Sequence, residues 1–159
     1  MASLEFTDHE FDAILQTAQE LYRTLGQIRC PYFQDNVQFN TRGLEHLRHK
    51  SWNRGRDRRD QFMRLKHFAC APEILRLSRT VQGIEHTAEW ERRHKHGRWE
   101  KRLVPVTYYE FIAVIEERRF KVIVKQLADG QRIFWSLIPF WRQSGQGRRL
   151  LHDGNPAQD

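Results

Sequence analysis

The spacing of apolar residues along this chain changes period partway through. Phe11, Ile14, Leu15, Ala18, Leu21, Tyr22 and Leu25 recur every three or four positions, the spacing of one helix face. Thr7 or Asp8 can cap that helix and Gly26 can stop it. Gln27–Asn36 reads as loop and Val37–Asn40 as a short alternating strand. Asn40 or Thr41 then caps a second helix with Leu44 and Leu47 as its buried pair. Helix resumes over Gln61–Phe68 through Phe62, Leu65 and Phe68, and Pro72 suits the first turn of a further short helix carrying Ile74, Leu75 and Leu77. From Thr80 onward the period drops to two. Thr80–Trp90 reads as a strand and Glu91–Glu100 as a basic tip turning at Gly97. Arg102–Trp141 holds three runs rich in Val, Ile, Tyr, Phe and Trp, parted by the short polar breaks Glu116–Arg119 and Ala128–Gln131.

Those breaks predict an antiparallel meander whose register can be written down. Asp129-Gly130 as a two-residue turn puts Phe134 opposite Lys125 and Ser136 opposite Ile123. A four-residue loop at Glu116–Arg119 puts Phe120 opposite Ile115 and Lys125 opposite Glu110. Side chains alternate between faces. One face then carries Tyr109, Phe111, Ala113, Ile115, Phe120, Val122, Val124, Ile133, Trp135 and Leu137, a core. The other carries Glu110, Ile112, Val114, Lys121, Ile123, Lys125, Phe134 and Ser136. Two lysines, a carboxylate and a hydroxyl among apolar neighbours on central strands are either a cross-strand ion pair on a solvated face or a site. Helices first and strands last give an α+β fold, with N-terminal helices packed on a C-terminal antiparallel sheet of about four strands.

Length and composition narrow this further. The chain has 159 residues, enough for one domain with its own core, here assigned to residues 1–141, with 142–159 as a loosely ordered basic tail. Net charge is +7, which favours polyanionic partners, nucleic acid before membrane. No apolar run reaches the roughly 18–20 residues a spanning helix needs. Cys30 and Cys70 make no recognisable spacing, and the acidic start MASLEFTDHEF is unlike a signal peptide, so a cytoplasmic location is expected. Phosphate-binding glycine loops, nucleophile elbows and CxxC pairs are absent, so no cofactor is expected.

Candidate chemistry falls in two stretches. On the second helix His46 and His49 lie three apart and are neighbours, with Glu45 and Lys50 beside them. An imidazole moves protons near neutral pH. RNA cleavage by 2′-hydroxyl attack needs a base, an acid and positive charge on the phosphate, which a His, a Lys or two and a hydroxyl supply without a metal. His46 or His49 would meet Lys121, Lys125 and Ser136 if that helix docks on the mixed face. Ser51–Asp60 carries Trp52, Arg54, Arg56, Arg58 and Arg59, either a solvated charge run or a grip on single-stranded nucleic acid to which Lys66 would add. His46-x-x-His49 and His67-x-x-Cys70 have zinc-ligand spacing, but the spacing is generic and the second pair adjoins a core face, so no metal site is assigned.

VQFNTRGLEHLRHK, a strand followed by a helix bearing glycine and histidine, together with the YYEFIAVI…KVIVKQ…GQRIFWSLIP meander, resembles phage-associated nucleases of the barnase–EndoU–colicin–RelE grouping. The resemblance covers roughly Val37 to Pro139. It implies helices on a four-stranded antiparallel sheet and a metal-independent endoribonuclease. The catalytic His would be His46 or His49, the basic residue from the sheet Lys121 or Lys125, and the hydroxyl Ser136. RNA is then the expected partner, with a cognate inhibitor protein as a second, as for a toxin-like product. The rival readings are a non-catalytic nucleic-acid-binding module and a protein-interaction subunit of a phage or mobile element, anchored by exposed Trp residues.

Overall fold

The computed structural model describes residues 5–51, 54–139, 156–157 and 159. Helix α1 (Asp8–Leu25) starts as expected. Thr7 Oγ1 accepts from the Glu10 amide at 3.1 Å, and Glu10 Oε2 accepts from the Thr7 amide at 2.7 Å, a reciprocal cap that satisfies two otherwise orphaned donors. Gly26, at φ 60°, ends it. The chain then forms strands β1 (Gln27–Cys30) and β2 (Asp35–Gln38), paired antiparallel, where the sequence had suggested mostly loop. Asn40 caps helix α2 (Thr41–Arg48) by accepting from the Arg42 amide at 3.1 Å. Two short strands follow, β3 (His49–Ser51) and β4 (Arg54–Gly55), forming a small sheet of their own. Helices α3 (Arg58–Lys66) and α4 (Cys70–Leu77) come next. Long strands then complete the chain's main sheet: β5 (Gly83–Lys95), β6 (Arg98–Ile115), β7 (Arg118–Leu127) and β8 (Arg132–Pro139).

The protein is α+β, and its main sheet is larger than expected. Six strands run in the order β1-β2-β8-β7-β6-β5. All neighbours are antiparallel except β2 and β8, which pair in parallel at Val37↔Arg132 and Gln38↔Ile133. The β1–β2 hairpin extends one edge, and β5, the Thr80–Trp90 region whose place was open, forms the other edge beside β6.

Two details of register differ from the expectation, with different consequences. At the first break the turn is two residues, Glu116 and Glu117, at φ 50° and 66°. Ile115 therefore pairs with Arg118, and Lys125 lies opposite Tyr108 instead of Glu110. A slip of two residues keeps every side chain on its face. At the second break Ala128 takes the positive φ of 48°, and Ser136 still pairs with Ile123. One residue further, Phe134 pairs with Val124 and Lys125 with Ile133, so Trp135 is the extra residue of a β-bulge. That single insertion moves Phe134 into the helix-side core and Trp135 out of it, the reverse of the expected alternation.

The core on the helix side gathers Phe11, Tyr22, Leu47, Phe62, Phe68, Phe111, Val122, Phe134 and Leu137. A smaller cluster on the opposite face holds Val106, Tyr108, Ile123 and Ile138, with Trp135 and Ala157 against it. Helix α2 lies unusually close to β8 because it carries Gly43. A Cβ there would stand 2.5 Å from Tyr22 Oη and closer still to the Phe134 carbonyl oxygen. Among the described residues no helix is long and apolar enough to cross a membrane. The tail 142–159 lies mostly outside the described residues. Of those described, Pro156 and Asp159 are buried.

Candidate functional site

Three elements deliver polar side chains to one buried point. Helix α2 brings His46, 4 % exposed; Arg56 comes from the segment just before α3, and α3 itself brings Asp60 and Arg64, one helical turn apart. Strand β8 brings Ser136, which is fully buried. Arg64 Nε donates to Asp60 Oδ1 at 2.6 Å, and its Nη1 donates to Ser136 Oγ at 2.7 Å. Arg56 Nε donates to the His46 carbonyl at 2.9 Å, and its Nη2 lies 3.0 Å from His46 Nε2. A guanidinium can only donate, so Nε2 accepts and the ring proton sits on Nδ1. The main-chain oxygen of Asp159 receives Arg56 Nη2 at 3.0 Å, Ser136 Oγ at 2.6 Å, and Arg64 Nη1. Two guanidiniums face the Asp60 carboxylate and the buried Asp159 here, and three donors converge on one Asp159 oxygen.

Next to it opens a cleft of about 680 Å³, lined by Arg42, Glu45, His46, Arg48, His49, Lys50, Glu89, Lys125 and Trp135. The bulged Trp135 forms its inner wall. The His46 ring stacks on Trp135 with centroids 4.2 Å apart, and Lys125 Nζ lies 4.1 Å from the same ring centroid, a cation–π contact. Lys125 also pairs with Glu89 at 2.9 Å, and the Tyr108 hydroxyl donates to the other oxygen of that carboxylate. Burial, then the bond to Glu89, pushes the Tyr108 hydroxyl above its ordinary titration range, so it stays a donor.

His46 itself is pulled down to about 2, first by burial and then by the positive charges of Arg56, Arg64 and Lys125. It is neutral at any working pH and supplies no imidazolium proton. His49, at the first position of β3, is exposed on the cleft.

The expected site residues are thus partly brought together. His46, His49 and Lys125 share the cleft, and Ser136 lies behind His46 through Arg56 and the Asp159 oxygen. Lys121 is on the same face as Lys125 but four residues, two pleat repeats, away along β7. It is buried and 3.5 Å from Glu110, the carboxylate expected beside Lys125. The arginines divide. Arg56 is buried and holds His46, so it is a structural donor here and not a surface grip. Arg58 pairs with Asp8 at 2.8 Å and lies over the Phe11 ring, tying α3 to α1. Arg54, Arg59 and Lys66 are exposed outside the cleft, and Trp52 is outside the described residues. Sequence reasoning missed Arg64, Asp60, Glu89, Tyr108 and Trp135. Asp60 and Arg64, four apart and of opposite charge, were the available signal for a charged face on that helix.

Fold and site together define an α+β protein with a basic cleft on one face of a mixed sheet. No family model, curated protein or solved structure matches this chain.

Proposed function

We propose that the cleft cleaves RNA by attack of a 2′-hydroxyl on the adjacent phosphate, without a metal. What supports this reading is that His49 and Lys125, from separate elements, line one basic cleft, with a buried guanidinium–hydroxyl cluster beside it behind His46. His49 takes the 2′-hydroxyl proton as the 2′-oxygen bonds to phosphorus. The bond from phosphorus to the 5′-oxygen breaks, and Lys125 supplies the proton that oxygen needs. The products are a 2′,3′-cyclic phosphate and a 5′-hydroxyl. Arg56, Arg64 and Ser136 hold a non-bridging phosphate oxygen where the Asp159 oxygen now sits, so substrate must displace that segment. Preorganised donors of this kind stabilise charge that develops in the transition state.

Of the two candidate histidines, His49 takes this role. A ring that is neutral at working pH, with Nε2 already accepting from Arg56, orients Arg56 and Trp135 and does not relay protons. The same fact favours the second reading, a nucleic-acid-binding module in which the cleft holds phosphates without cutting.

Incubating the protein with end-labelled RNA in EDTA separates the two. Cleavage to a cyclic phosphate, lost in His49→Ala and Lys125→Ala, retained in His46→Gln and raised by removing residues 156–159, is the expected result. Salt-sensitive binding without cleavage refutes the enzyme and leaves the module.

A further inference from the structure

Strands β5 and β6 continue well past the sheet that anchors them. β6 pairs with β7 only from Val106 onward, whereas its pairing with β5 runs on to Lys95↔Arg98, closed by His96 and Gly97 at φ 52° and 76°. Beyond Val106 the described strands form a two-stranded arm whose residues 90–103 are exposed, apart from the partly covered root at Glu89.

The two faces of the arm differ in chemistry. On one, Glu91 is opposite Arg102 and Arg93 is opposite Glu100, so these two rungs are balanced across the strands, with the cations Lys95 and Arg98 following at the tip. The other presents three successive rungs: Trp90 with Leu103, Arg92 with Lys101, and His94 with Trp99. No acid interrupts it. Trp90 is 71 % exposed, Trp99 67 % and Leu103 53 %. The Arg92 guanidinium lies 5.3 Å from the Trp99 ring centroid, which holds the indole and leaves its remaining surface to solvent. Large exposed indoles on a water-facing ribbon mark a binding surface, since among the described residues none covers them.

We propose that this face is a docking strip for single-stranded nucleic acid. Bases stack on Trp90 and Trp99, which lie four residues of strand apart, or about 13 Å. The cation rung between them, Arg92 and Lys101, meets the intervening phosphates. An aromatic–cation–aromatic order along one face, with no carboxylate, is what a sequence-tolerant single-strand site requires. The proposal takes its partner class from the nucleic-acid reading of the cleft, and it concerns a surface that no residue of the cleft shares.

The test uses the whole chain and a fluorescein-labelled oligothymidylate of about 12 nucleotides, which lacks the 2′-hydroxyl and cannot be cleaved by the proposed chemistry. Anisotropy should show salt-sensitive binding. Trp90→Ala/Trp99→Ala should weaken it by about thirtyfold or more, from the usual range for two lost base stacks. Arg92→Gln/Lys101→Gln should lower the slope of log affinity against log salt by about 1.4. Arg93→Gln, on the balanced face, should change affinity less than either. All five side chains are exposed, and thermal melts confirm folding of each variant. No binding by the wild type, or binding indifferent to both Trp substitutions, overturns the proposal. So does Trp-dependent binding to phosphatidylserine vesicles that the oligonucleotide does not compete away, which would make the strip a membrane contact. Trp-dependent binding in a protein that fails to cut RNA leaves the arm proposal standing and removes only the cleavage reading.

Discussion

Holding His46 neutral should leave a measurable mark on stability as pH falls. The ring is 4 % exposed, its Nε2 accepts from Arg56, and its folded pKa is about 2 against an ordinary 6.5. Between those two values the unfolded chain binds a proton that the folded chain refuses. Stability therefore rises with pH through this window and falls as the solution is acidified below 6.5. Each pH unit is worth about 1.4 kcal/mol once the unfolded ring is fully charged. Going from pH 7.5 to pH 4.5 should cost about 2.7 kcal/mol from this one group, before any carboxylate contributes. The cleanest measurement is a difference. In His46→Gln the side-chain carbonyl can still accept from Arg56 but binds no proton. Urea unfolding of both proteins across that range should give free energies that diverge on acidification. The wild type should lose about 2–3 kcal/mol more than the variant, a midpoint difference of roughly 1–2 M at ordinary urea slopes. Parallel profiles would mean that His46 can charge inside the fold. The neutral-ring argument, and with it the choice of His49 for proton transfer, would then be wrong.

Two further substitutions probe what holds the site in place. Gly43→Ala gains up to about 1 kcal/mol of helix propensity, but its Cβ collides with Tyr22 Oη and the Phe134 carbonyl. Overpacking there should win, for a net loss of about 1–2 kcal/mol in chemical denaturation, and a more stable variant would refute the close approach of α2 to β8. Arg64→Ala leaves the Asp60 carboxylate without its 2.6 Å partner in a buried setting and should cost about 3–5 kcal/mol. Adding Asp60→Asn should recover part of that loss, and strict additivity of the two changes would show that the pair is not coupled.

The parts of this protein that could be read in advance are those where parity, and not exact register, decides the outcome. Glu116–Glu117 closes its turn two residues earlier than a four-residue loop would, yet Lys121, Ile123 and Lys125 keep the face expected of them because a shift of two preserves alternation. Helix α1 was legible for a similar reason, since its capping residues and its glycine stop act locally. The bulge at Trp135 was not legible. It answers to a tertiary demand, the packing of α2 onto β8 at Gly43 and Phe134, and nothing in IFWSLIP marks which residue will be extra. Of the edge hairpin, β2 was read in part as the Val37–Asn40 strand and β1 was taken for loop; the place of the pair in the sheet was not legible because β2 joins β8 in parallel and non-locally.

That one bulge accounts for the site as well as the misreading. With strict alternation through β8, Ser136 and Phe134 would share a face, and Trp135 would sit among the helices. Inserting Trp135 instead sends Phe134 to the helix-side core and puts an indole and a hydroxyl in succession beyond it. The indole then serves as a wall on which His46 stacks and against which Lys125 rests, while the hydroxyl reaches Arg64. Histidine, lysine and serine are brought near one another through these intermediaries and not by direct contact. Burial first, and then the charge on the two arginines and Lys125, holds the histidine neutral, so one of the two histidines that looked catalytic in the sequence is disabled as an acid by its surroundings.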